Sequence, residues 1–224
     1  MKLKPFAAAS LCVAAGAFSA PAMATVLEYE FTPLNSSLTN ILTTLSIHQF
    51  DGALGQLTGI TIEYGSAVDG KVALSNASTT KNKTTKVSLT STMTLTGPGA
   101  LALGGDSQAL FSNVNVTAVK NSSNVVVASG GANLFSSVTL GQSDFALFTG
   151  TGSVLSSLAI NASGTSSGQT GIDTVFTTFA DGAGKVTYTY TAAPVPEPET
   201  YGMLLLGLGV VAFAAKRKSR SAQA

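Results

Sequence analysis

The chain has 224 residues, of which 10% are charged and 45% hydrophobic, and its formal net charge is +1. Its one cysteine, Cys12, lies near the N-terminus, so the rest of the chain has neither a disulfide nor a thiolate metal ligand. Residues 25–194 carry six lysines, no arginine and nine acidic residues, a net charge of −3. A mildly acidic body of this kind excludes a nucleic-acid-binding protein.

The N-terminus has the three parts of a secretory signal peptide. Lys2 and Lys4 form a short positive stretch, and residues 6–20 carry no charge. Ala22-Met23-Ala24 then places small residues where a signal peptidase needs them. The uncharged run is shorter than the ~20 residues that a membrane-spanning helix requires. We therefore expect a signal helix within residues 1–24, cleavage after Ala24 and export of the remaining chain.

Alternation of apolar and polar residues dominates the body, residues 25–192, which we expect to form one extracellular domain. Apolar side chains alternate with threonine, serine, asparagine or glutamate at residues 58–65, 87–95, 114–117 and 186–191. Period two is typical of strands with one buried face and one wet face, and no run in the body has the period of a helix. The sequence therefore predicts an all-β fold, an antiparallel β-sandwich of jelly-roll type, with a closed barrel as the alternative.

Glycine and aspartate mark the predicted turns between these strands. We expect Gly55 to adopt a backbone shape that other residues resist, and residues 75–86, which are polar and hold three lysines, to form an exposed loop. The turns are predicted at Asp51-Gly52, Asp69-Gly70, Gly104-Gly105-Asp106, Gly130-Gly131 and Asp181-Gly182.

Residues suited to catalysis or metal binding are sparse in the body. His48 is the only histidine, and its alternation with Ile47 predicts that it faces solvent. Zinc and copper lack ligands in a body with one histidine and no cysteine. Calcium needs only oxygen ligands, but each candidate aspartate stands alone, so we expect turn formers and no cofactor. These aspartates are Asp51, Asp69, Asp106, Asp144, Asp173 and Asp181.

A glycosidase needs two facing carboxylates, and Glu28 or Glu30 could pair with Glu63 across strands. Sugar-cleaving clefts are usually lined by aromatic rings, whereas this body has no tryptophan and few tyrosines. We therefore expect a protein that is not an enzyme.

The C-terminus has three consecutive parts. Residues 193–200 hold three prolines and two glutamates and predict an extended linker. Residues 201–215 carry no charge and predict a transmembrane helix, although 15 residues at ~1.5 Å each span roughly 22 Å of a ~30 Å hydrocarbon core. The basic tail, residues 216–224, is expected to stay on the cytoplasmic side; its charges are Lys216, Arg217, Lys218 and Arg220.

Together these three parts resemble the PEP-CTERM sorting signal of Gram-negative bacteria, with Pro196-Glu197-Pro198 as the motif. The resemblance implies processing near these residues by an exosortase, a transpeptidase-like membrane protease. It also implies an inner-membrane-anchored precursor that reaches the cell surface or extracellular matrix, often among exopolysaccharide and biofilm.

The body resembles a second family, the choice-of-anchor E domain, in three blocks: residues 50–62, which begin Phe50-Asp51-Gly52-Ala53-Leu54-Gly55, residues 148–154 and the closing residues 186–190. The resemblance implies a β-rich extracellular domain without a known activity. We therefore expect a structural or interaction protein of the envelope or matrix. The alternative is a surface module that binds carbohydrate or calcium.

Overall fold

The computed structural model describes residues 24–193 and 198–221, which form eight strands, three short 3₁₀ helices and one α-helix. The strands are β1 Ala24–Leu38, β2 Ile41–His48, β3 Gly55–Asn76, β4 Lys83–Thr96, β5 Ala102–Ala118, β6 Ser122–Thr139, β7 Ser153–Gly168 and β8 Asp173–Ala192. The 3₁₀ helices are Gly52–Leu54, Pro98–Ala100 and Gln142–Phe148, and helix α1 is Pro198–Ser221.

The strands form two four-stranded antiparallel sheets. The first sheet has the order β1-β8-β3-β6 and the second the order β2-β7-β4-β5. Chain neighbours such as β1 and β2 therefore lie in different sheets, and this strand order is that of an eight-stranded jelly roll with two Greek keys. The predicted all-β, antiparallel class is confirmed.

One hydrophobic cluster takes residues from both sheets. Ile62 and Tyr188 of the first sheet and Met93 and Ile160 of the second belong to it, and each is at most 1% exposed. The predicted alternation is present in β3, where Ile60, Ile62 and Tyr64 are all buried. A core shared by two sheets supports the predicted sandwich.

Most of the predicted glycine turns are wrong, because those glycines lie inside strands. Asp51-Gly52 does begin a turn, but the other four pairs or triplets fall within β3, β5, β6 and β8. A Cβ on Gly70 would come within 2.4 Å of Leu89 Cδ2, and one on Gly130 within 2.6 Å of the Leu110 carbonyl oxygen. Glycine is present at these positions because neighbouring atoms approach the backbone closely. The predicted loop 75–86 is shorter than expected, since β3 ends at Asn76 and β4 begins at Lys83.

The strand registers define two ends of the body. Ala24 pairs with Thr191, Gly55 with Ala192, and His48 with Ser153, so both chain termini of the body meet at one end. We call residues 49–54, 97–101 and 140–152 the proximal loops, because they lie at this end. Residues 39–40, 77–82, 119–121 and 169–172 are the distal loops at the opposite end.

Candidate functional site

The sorting segment leaves the body at the proximal end. β8 ends at Ala192, and the backbone N–H of Ala193 donates a hydrogen bond of 3.0 Å to the Leu54 carbonyl oxygen. Pro196 and Glu197 of the predicted motif lie outside the described residues, whereas Pro198 is the first residue of α1. The body is therefore held by hydrogen bonds up to three residues before Pro196.

Helix α1 is longer than the predicted helix 201–215 at both ends. It begins at Pro198 within the expected linker, because proline lacks the N–H that the first helical turn leaves unused. It also includes the predicted basic positions Lys216, Arg217, Lys218 and Arg220 and ends at Ser221.

The apolar side chains of α1 that the structure describes are exposed. Met203, Leu205 and Phe213 are each at least 69% exposed. Among the residues that the structure describes, no helix combines the length and apolarity that crossing a membrane requires. The predicted transmembrane helix is therefore not confirmed.

The predicted signal-cleavage site adjoins the same end of the body. Ala22 and the rest of the signal peptide lie outside the described residues, and Ala24 is the first residue of β1. β1 is an edge strand that pairs with β8 only, and Ala24 pairs with Thr191. The two residues that flank the predicted cut, Ala24 and Thr25, therefore both lie within β1.

Backbone hydrogen bonds connect two of the proximal loops next to the point where the sorting segment leaves the body. Phe50 donates its backbone N–H to the Phe148 carbonyl oxygen at 2.8 Å, and Gly150 donates to the Phe50 carbonyl oxygen at 2.9 Å. The Asp51 carboxylate accepts the backbone N–H of Ala53 at 2.9 Å, so it caps the short helix Gly52–Leu54 as a turn former does. Gly55 has φ +151°, where a Cβ would lie 2.1 Å from the Thr191 carbonyl oxygen, as its predicted special conformation requires.

The candidate carboxylate pair is joined by a lysine. Lys185 Nζ lies 3.2 Å from Glu28 Oε1 and 3.4 Å from Glu63 Oε2 on the outer face of the first sheet. The hydrogen bond from Lys185, followed by that from Thr187, lowers the pKa of Glu28, whereas a general acid of a glycosidase needs a raised pKa. Sequence reasoning missed Lys185, because more than 120 residues separate it from both glutamates and only the strand register brings them together.

The other candidate ligands are dispersed among the strands and loops. His48 is exposed and stacks on Tyr29 with a ring-centroid distance of 5.0 Å. Asp106 accepts backbone N–H groups from Ser107 at 2.7 Å and Phe135 at 3.0 Å, and the bond from Phe135 is the main cause that lowers its pKa. Within residues 24–193 and 198–221, no three histidine, cysteine or carboxylate side chains gather where they could hold a metal ion.

The body so described is a mostly β domain of antiparallel sheets, followed by one helix. The segment after it matches the PEP-CTERM protein-sorting motif over residues 194–218, which supports export and processing by an exosortase. No curated protein matches the chain. The resemblance of the body to the choice-of-anchor E domain is not shown by these comparisons and stays a prediction.

Two solved viral structures show weak similarity to the chain. One, from the Gx strain of infectious bursal disease virus, is 12% identical over 83% of this chain and 49% of that chain, with a TM-score of 0.18. The other, from Desmodium yellow mottle tymovirus, is 12% identical over 88% of this chain and 100% of that chain, with a TM-score of 0.19. This chain thus spans about half the length of the first viral chain, and such low scores carry no argument.

Proposed function

We propose that the chain is an exported envelope protein whose C-terminal segment is processed by an exosortase near Pro196-Glu197-Pro198. The processed body then resides at the cell surface or in the extracellular matrix of a Gram-negative bacterium. The observation that carries the proposal is the PEP-CTERM match over residues 194–218, which begins one residue after the last hydrogen bond of the body at Ala193.

The position of the motif supports this proposal. A cut near Pro196 removes no residue of β8, which ends at Ala192 and pairs with both β1 and β3. Removal of the signal peptide after Ala24 would take away only the first residue of β1 and leave Thr25 paired with Tyr190. The two processing steps together therefore cost the sheet one terminal residue, and we expect the body to remain folded after both.

For the body we propose a structural or interaction role in an exopolysaccharide or biofilm matrix, with no enzymatic activity. The jelly-roll strand order and the shared core support a stable sandwich. The Glu28–Lys185–Glu63 arrangement supports the absence of glycosidase chemistry, because it keeps a carboxylate ionised instead of protonated. The alternative role is a surface module that binds carbohydrate or calcium.

The sorting proposal is tested by changing Pro196-Glu197-Pro198 to three alanines in the full chain, in cells with an active exosortase. We expect the variant to accumulate as the unprocessed precursor, detected by fractionation and by the intact mass of the product. Pro194→Ala is the matched control, since it also removes a linker proline but leaves Pro196-Glu197-Pro198 unchanged. Unchanged surface release and unchanged mass in the triple variant would rule out the proposed processing.

Calorimetric titration separates the two proposed roles of the body. Calcium and an exopolysaccharide preparation are each titrated into the purified chain, and heat of binding with either one supports the binding module. Absence of heat with both supports the purely structural role.

A further inference from the structure

The charges of the body are segregated between its two ends. The proximal loops contain Asp51 and Asp144 and no lysine, whereas the distal loops contain Lys81 and Lys120 and no acidic residue. Lys83 and Lys86 add to the distal end from the first four residues of β4, and Asp173, the first residue of β8, is the one acid that adjoins them. The net charge of −3 therefore conceals a basic end, opposite to the exit of the sorting segment.

Hydrogen bonds fix the two lysine-bearing loops against each other. The Asn76 side chain is fully buried and donates from Nδ2 to the carbonyl oxygens of Lys81 and Ala118, each at 3.0 Å. The backbone N–H of Lys120 donates to Asn82 Oδ1 at 2.9 Å. Residues that are more than 35 positions apart in sequence are thereby held side by side, and the charged surface is preorganised.

Lys83 forms hydrogen bonds with a third distal loop, residues 169–172. Its Nζ donates to the carbonyl oxygens of Thr170 at 2.7 Å and Gly171 at 3.3 Å. Lys81, Lys86 and Lys120 are exposed, and among the described residues both ion pairs involve Lys185, far from this end. Three ammonium groups are thus left to face solvent or a ligand.

An open cleft lined by Lys86 lies on the outer face of the second sheet, near the distal loops. Lys86 stands between Asn115 of β5 and Ser167 of β7 in the strand register, and Thr84 and Gln169 complete the cleft. Amide and hydroxyl groups can donate to and accept from sugar hydroxyls. Its lining holds no aromatic ring, so recognition here would use charge and hydrogen bonds instead of stacking.

We propose that this distal end binds an acidic polysaccharide, with Lys81, Lys86 and Lys120 facing sugar carboxylates and the cleft facing sugar hydroxyls. The lysine ammonium groups are compact point charges that can each face one sugar carboxylate. The hydroxyl and amide groups of the cleft match sugar hydroxyls, whereas the cleft lacks the aromatic platform on which the bases of single-stranded nucleic acid stack. These features favour a carboxylated polysaccharide over single-stranded DNA. The inference rests on the proposed export, because such polymers lie outside the cell.

The test uses the purified full-length chain in mild detergent with three probes: polygalacturonate, uncharged dextran and single-stranded DNA. We expect binding to polygalacturonate at low salt, none to dextran, and weaker binding to DNA at equal charge concentration. Raising the ionic strength to 1 M shortens the Debye length to about 3 Å and should abolish binding, since exposed charges supply it.

Lys86→Gln and Lys71→Gln form a matched pair of variants. Both remove one exposed lysine, but Lys71 lies on β3 in the other sheet, in register with Ser129 and Thr177. We expect Lys86→Gln to weaken polygalacturonate binding by about two- to fivefold, the range of one exposed ion pair. Lys71→Gln should change it by less than twofold. The combined variant Lys81→Gln, Lys86→Gln and Lys120→Gln should lose at least about tenfold if the three effects add.

Three results would overturn the inference: no binding of polygalacturonate at low salt, equal losses for Lys71→Gln and Lys86→Gln, or tighter binding of DNA than of polygalacturonate. The assay needs no cells and no processing. Failure to bind therefore leaves the sorting proposal intact, while unaltered processing of the Pro196-Glu197-Pro198 variant leaves the binding result intact.

Discussion

Gly184→Ala tests whether close packing explains the glycines that interrupt the strands. Gly184 of β8 lies between Phe31 of β1 and Tyr64 of β3 in the register, and these two buried rings stack with centroids 6.2 Å apart. A Cβ would approach Phe31 Cε2 to 2.3 Å, Tyr64 Cδ2 to 2.6 Å and the Glu63 carbonyl oxygen to 2.7 Å. Rings and backbone cannot rotate away as a flexible side chain can, so the sheet itself must shift.

The expected loss of stability follows from three contributions. Overpacking a core costs about 1–3 kcal/mol, disturbing an aromatic pair about 0.5–1.5 kcal/mol, and alanine recovers about 0.4–1 kcal/mol by restricting the unfolded chain. The midpoints of these ranges give a net loss of about 2 kcal/mol, which lowers the Tm of a domain of this size by roughly 4–8 °C.

The measurement is urea and thermal unfolding of the full chain, followed by circular dichroism. Gly52→Ala is the control, because its Cβ would meet only Thr149 Cγ2 at an ordinary 3.7 Å while the unfolded-state gain is the same. We expect Gly52→Ala to match or slightly exceed the parent. Equal stability of Gly184→Ala and Gly52→Ala would refute the packing explanation.

Two further predictions concern hydroxyl and charged groups. Tyr188→Phe should cost about 1 kcal/mol, because its hydroxyl donates to the His48 carbonyl oxygen at 2.5 Å. Tyr64→Phe should cost nothing, because the buried Tyr64 hydroxyl has no hydrogen-bond partner among the described residues, and unfolding of both variants tests this difference. Burial raises the pKa of Tyr64 to about 12, so its hydroxyl stays neutral in that assay. Lys185→Met should destabilise the chain chiefly between about pH 5 and pH 10. The lowered pKa of Glu28 makes its stabilisation disappear as pH falls, and the raised pKa of Lys185 makes its own disappear as pH rises, so a pH-independent difference would contradict this.

The strand interiors were predictable because burial on one face imposes period two. Val87, Leu89, Met93 and Leu95 are all buried in β4, as their alternation with serine and threonine indicates. Turns were less predictable, because the same residue types serve two purposes. The Asp51 carboxylate does cap a turn, whereas Gly182 lies in β8, where a Cβ would be 2.7 Å from the Gly65 carbonyl oxygen. A single sequence contains no signal that distinguishes a glycine needed for a positive φ angle from a glycine needed because a neighbouring strand leaves no room for a Cβ.

The basic distal end was unpredictable for a different reason. The lysines at residues 81–86 are visible in the sequence as one polar stretch, but Lys120 joins them only because Asn76 and Asn82 bond the two loops together. The local sequence therefore indicates a charged loop, and the topology converts it into a charged surface. The net charge of the body does not reveal this basic end, because the acidic residues that outnumber the lysines lie mostly in the strands and proximal loops.

The position of β8 links the fold to its sorting. β8 is the last strand of the chain, yet it lies inside the first sheet, and β1 has no other strand as a partner in that sheet. The first sheet is therefore complete only when residues up to 192 are available to pair with β1 and β3. Antiparallel pairing places the C-terminal end of β8 beside the N-terminal end of β1, so Ala24 and Thr191 are neighbours. The jelly-roll order thus brings both chain ends of the body to the proximal end, and the distal lysines lie at the opposite end.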